Sequence, residues 1–200
     1  MFQAKGELYN VELVPYARLF NEYFGTVVFQ EIREAQGLAY SVFSAYSEPN
    51  KKDKSNYLFA YIGTQADKQS EAMKAMVELL NNMPESQGDF EVAKEAILSK
   101  IESERITKSN VIWNYVNAQD KGLDNDVRKN IYDKVQSMNF NDLIAFHEKY
   151  IKDKKYVTVL VGSRDKIDFN DLANYGEVRE LSLVELFGYE NTVYVDIEMQ

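Results

Sequence analysis

Two residues able to do chemistry stand seven positions apart in FQEIREAQGLAYS, namely Arg33 and Tyr40. Arginine offers fixed-charge donors for a carbonyl or carboxylate, and a tyrosine hydroxyl can donate to an oxyanion as it develops. By residue type alone a simpler account is open, in which Arg33 pairs with a neighbouring carboxylate and Tyr40 packs in a sheet. The rest of the chain restricts what the pair could be part of. There is one histidine, His147, in LIAFHEKYI. Zinc sites of the HExxH or HxxEH form need two imidazoles four residues apart on one helix face. No metal ligand set is therefore read in this chain, and His147 is expected to be structural, near the end of an amphipathic helix. The absence of cysteine excludes disulfides, thiolate metal sites and a cysteine nucleophile. No G-x-S-x-G elbow supplies a serine for His147, no P-loop occurs, and no spacing singles out a catalytic pair among the 32 acidic residues.

The elements that position Arg33 and Tyr40 can be read from periodicity. VELVPYARLFNEYF (11–24) has helical spacing with Gly25 as its stop, and VVFQEIREAQ (27–36) is a second short helix ended by Gly37. LAYSVFSAYSE (38–48) and NYLFAYIGTQ (56–65) alternate and are rich in β-favouring residues, which predicts an antiparallel hairpin. Apolar residues at both parities predict strands covered on each side. Helices follow over 66–83, with Asp67 or Thr64 as N-cap, from Asp89 onward, over 110–121, over 126–138, and from Asn141 or Asp142. KKYVTVLVGS (154–163) reads as the clearest strand. RDKIDFNDLANYGEV then reads as a short helix and turn, and EVRELSL as an edge strand. Strand-forming runs around a helical block predict an α+β fold, an antiparallel or mixed sheet packed against a layer of helices, formed as one domain over 1–200. A doubly wound nucleotide fold lacks its βα alternation and glycine-rich turn.

Composition narrows the partners. A net charge of −9 would repel a phosphate backbone, so no nucleic-acid partner is expected. Lys51, Lys52 and Lys54 sit at a hairpin tip and read as a solvated turn. No apolar run reaches the roughly 18 residues of a membrane helix, so no membrane insertion is expected. MFQAKGELYN lacks the apolar core of a signal peptide, and the chain reads as soluble.

The segment LFNEYFGTVVFQEIREAQGLAYSVFSAYSE resembles the C-terminal, non-zinc-binding half of the pitrilysin/insulinase-type metallopeptidases, the inverted zincins. Phe29, Ile32, Arg33, Glu34, Gly37, Leu38, Ala39 and Tyr40 carry the resemblance. The order of later elements resembles the family as well, over about residues 7–189, leaving a 190–200 tail without a reading. In such proteins two similar halves enclose a peptide. One half holds zinc through HxxEH, and the other supplies an arginine and a tyrosine that reach toward the scissile bond. The resemblance thus implies that Arg33 and Tyr40 bind substrate and assist catalysis. It also implies that zinc belongs to a partner domain or subunit, and that this chain alone binds no cofactor and cleaves nothing. The same family includes inactive members, so a peptidase-like scaffold or interaction domain is the alternative. A half without its partner would expose the surface meant for it, which makes self-association a further expectation. One departure stands out. Family members join the two helices through a longer glycine-rich link, which is here only Gly25-Thr26 and should be stiff.

Overall fold

The structure, a computed structural model, describes residues 1–188. It divides into two compact units, Met1–Ile167 and Asp168–Gln200. The tail 190–200, for which sequence offered no reading, and Tyr189 lie outside the described residues.

In the first unit β1 (Phe2–Leu8), β2 (Ser41–Ser47), β3 (Ser55–Gly63) and the two-residue β4 (Val157–Thr158) form an antiparallel sheet in the order β2-β3-β1-β4. The helices are α1 (Val14–Val28), α2 (Gln69–Asn81), α3 (Gln87–Ser103), α4 (Lys108–Asp120), α5 (Arg128–Ser137) and α6 (Phe140–Tyr150). The predicted α+β class, with a sheet against a layer of helices, is the observed one, and the sheet is wholly antiparallel.

The core lies between one sheet face and α1. Register puts Tyr46 opposite Leu58, and Ala60 opposite both Ser44 and Phe2, and all five are buried. Above them α1 buries Phe20, Tyr23, Phe24 and Val27 at helical spacing. The Phe20 ring stacks on Phe24 at 4.9 Å and meets Phe146 of α6 at 5.4 Å. Asn21 of α1 reaches the outer edge of β2, donating to the Tyr46 carbonyl at 3.0 Å and accepting from its N–H at 2.7 Å. Backbone groups that an edge strand would leave unpaired are thereby satisfied from the helix layer.

Several sequence expectations are corrected. Gly25 does not end a helix: α1 runs through Gly25 and Thr26 and continues as a π-helical segment, Phe29–Ala35. Buried residues on both sides of Gly25 hold one continuous helix, and their packing outweighs the roughly 1 kcal/mol that glycine costs a helix. The hairpin is present, but its second face is not buried. Phe43 is 51% exposed, and its ring stacks on Tyr61 at 5.4 Å. Neither Asp67 nor Thr64 caps α2, which follows a 3-10 turn at Ala66–Lys68 and has no side-chain cap. The run at 154–163 yields only β4, because Phe2 pairs with Thr158 and Gln3 with Val157. Val159 is then bonded to Met1.

The excursion carrying α4 is tied at its base, Arg128 to Glu104 at 3.1 Å, and at its tip, Lys121 to Glu48 at 2.8 Å. Between those ties Ile112, Trp113 and Tyr115 are exposed.

The second unit holds two short helices, α7 (Phe169–Leu172) and α8 (Leu183–Phe187). The segment EVRELSL forms no strand. Its Ser182 instead opens α8 in a capping box with Glu185, and a hydroxyl placed three residues before a glutamate favours that use.

Candidate functional site

Arg33 and Tyr40 flank a corner built on two buried residues that lie between or beside them. Ile32 is fully buried and Leu38 is 6% exposed. The Leu38 N–H donates to the Ile32 carbonyl at 3.0 Å. This closes the helix in the manner of a Schellman cap, one residue wider because the last turn is π-helical. Gly37 makes the closure feasible, with φ at 61°, a left-handed conformation that costs other residues roughly 1–2 kcal/mol. The chain then enters the sheet one residue before β2, where the Tyr40 N–H donates to the Gly63 carbonyl at 2.8 Å. Burying Ile32 and Leu38 leaves Arg33 and Tyr40 exposed on the outside of the corner.

The Arg33 guanidinium lies over the Phe29 ring, 4.9 Å from its centroid, and forms no ion pair among the described residues. The ring supports one face of the guanidinium and leaves its N–H edges for another acceptor. Tyr40 is 67% exposed and does not pack inside the sheet. Neither half of the simpler account, a carboxylate-paired arginine and a sheet-packed tyrosine, describes this geometry. Within the described residues no hydrogen bond joins Arg33 to Tyr40. What they share is the corner.

The Tyr40 hydroxyl has a partner that no local motif signals. The Gln65 Nε2 donates to it at 2.6 Å. Gln65 lies 25 residues away in sequence, and only the hairpin register, with Ser41 opposite Gly63, brings it near. The predicted hairpin, 38–48 with 56–65, contains both residues, and only its register shows that they meet. From the same segment, the Lys68 ammonium donates to the Gly37 carbonyl at 3.4 Å. Gln65, Ala66, Asp67 and Lys166 line an adjoining hollow of about 620 Å³.

His147 is buried in α6, its Nε2 2.8 Å from the Leu80 carbonyl. A carbonyl only accepts, so Nε2 carries the hydrogen. The ring stacks on Phe20 and lies tilted against Phe24, each at 6.4 Å. Burial lowers its pKa below the ordinary value, against the opposing pull of the Leu80 bond. No group of three or more His, Asp or Glu able to hold a metal exists among the described residues. With the single imidazole committed to Leu80 inside an aromatic shell, the described residues offer no imidazole free to ligate a zinc.

Comparison with known proteins defines first the class of fold. The chain is similar to the crystal structure of a peptidase M16 inactive domain from Pseudomonas fluorescens, with a TM-score of 0.65 and 18% identity over 78% of this chain. It is also similar to a protease from Helicobacter pylori, with a TM-score of 0.59 and 14% identity over 76% of this chain. At such identities the likeness is one of fold. The chain spans 38% and 37% of the lengths of those two proteins. No curated protein matches it. Residues 2–97 match the family described as the peptidase M16 inactive domain. Over that stretch the chain is similar to the M16, pitrilysin-type C-terminal half, the resemblance that the phrase around Arg33 and Tyr40 carries.

Proposed function

We propose that this chain is the substrate-holding half of a zinc metalloendopeptidase, in which Arg33 and Tyr40 contact a peptide cleaved on another domain. The observation that carries this reading is the corner itself. An arginine and a tyrosine are exposed at the corner that the Ile32–Leu38 bond closes, and the arginine has no ion-pair partner among the described residues. Exposed donors with a fixed backbone are what a site needs to hold an extended peptide and to meet charge as it develops. Arg33 would grip a carbonyl or carboxylate of the peptide, and Tyr40 would donate to the oxyanion of the attacked carbonyl. Zinc and its water would come from an HxxEH-bearing half, in the same polypeptide or a separate subunit. The short span of this chain on its structural relatives and the exposed apolar surface of α4 both support such a partner.

The test is kinetic. In the assembled two-half peptidase, Arg33→Ala and Tyr40→Phe should each lower kcat by roughly 10- to 100-fold on a quenched peptide, with association of the halves unchanged. Unchanged kcat in both variants contradicts the reading. If no HxxEH-bearing half exists in the same gene or in any partner, the scaffold reading replaces it.

A further inference from the structure

We infer that Gln65 is a positioning residue for Tyr40: its side-chain amide fixes the tyrosine hydroxyl as a hydrogen-bond donor facing the substrate. This inference rests on the substrate role given to Tyr40 above and adds a residue that no family motif assigns.

A phenolic hydroxyl has one hydrogen to give and can accept at its oxygen. If a neighbouring group accepts from that hydrogen, the tyrosine has nothing left for an oxyanion. If the neighbour donates instead, the hydrogen stays free and the oxygen is held. Gln65 does the second, its Nε2 lying 2.6 Å from the Tyr40 oxygen. The same short segment holds the rest of the corner. The Gly63 carbonyl takes the Tyr40 N–H at 2.8 Å, and Lys68 reaches the Gly37 carbonyl at 3.4 Å. Tyr40 is 67% exposed, and no packing among the described residues encloses its ring. The Gln65 bond therefore restrains a side chain that would otherwise sample several rotamers. Gln65 itself sits at the start of a 3-10 turn, where the Lys68 N–H donates to its carbonyl at 3.0 Å, so its own backbone is fixed. Gln65 also lines the hollow shared with Ala66, Asp67 and Lys166.

Two substitutions separate donation from mere contact. Gln65→Glu keeps the shape but replaces the donor with an acceptor, which would draw the tyrosine hydrogen away from substrate. Gln65→Leu removes the bond without competing for the hydrogen. In the assembled peptidase with a quenched peptide, Gln65→Glu should lower kcat about tenfold with KM within about twofold, and Gln65→Leu should lower it less. Adding Gln65→Glu to Tyr40→Phe should cost nothing more, since the two act through one hydroxyl. Melting temperatures should be unchanged, the site being exposed. On the chain alone, Tyr40→Phe should shift the Gln65 side-chain amide resonances in a ¹⁵N–¹H spectrum. If Tyr40→Phe lowers kcat while Gln65→Glu leaves it intact, the positioning role is overturned and the substrate role of Tyr40 survives. If Tyr40→Phe itself leaves kcat intact, the underlying reading of Tyr40 falls. Amide resonances that do not respond to Tyr40→Phe overturn the contact, whatever the kinetics.

Discussion

The lone histidine, read from sequence as structural, is buried in the structure. His147 has no imidazole partner in the sequence, and the structure places it between Leu80, Phe20 and Phe24. Burial lowers its folded-state pKa, so the unfolded chain binds a proton more readily. Stability linked to His147 is then fully present above the ordinary pKa of about 6.5 and is lost as pH falls below it toward the folded value. The urea midpoint of the wild type should exceed that of His147→Gln at pH 7.5, and the gap should narrow at pH 5.5; a gap independent of pH would contradict this account. Arg33 and Tyr40 were legible because a short phrase carries both of them and the apolar residues that orient them. Gln65 was not, because its link to Tyr40 depends on hairpin register and not on local spacing.

At the scale of elements, what sequence missed was decided by tertiary partners. Gly25 reads as a helix stop, yet Tyr23, Phe24, Val27 and Val28 all face the core around it, and the helix continues. Nothing lies within 4 Å of a side chain added there. Gly25→Ala should therefore stabilise the chain by roughly 0.5–1 kcal/mol and raise Tm by about 1–4 °C. A lower Tm would mean that the segment is a joint and not a helix. β1 escaped notice because its inward residues after Phe2 are small: Ala4 and then Gly6, where an added Cβ would come within 2.7 Å of the Tyr46 hydroxyl. β4 was over-read for the opposite reason. Its residues favour strand strongly, but only Val157 and Thr158 pair with β1. The hairpin and most helices were legible because their periodicity coincides with what the core buries.

For the molecule as a whole, a sheet-and-helix scaffold presents one exposed corner, and no metal-ligand cluster exists among the described residues. No helix among them is long and apolar enough to cross a membrane. The account makes the chain a holder of peptide and assigns the cleavage to zinc on another half. The most direct test is turnover of a quenched peptide in zinc-containing buffer, by this chain alone and then with an HxxEH-bearing half added. The account predicts no cleavage in the first case and zinc-dependent cleavage in the second; zinc-dependent turnover by the purified chain alone would contradict it.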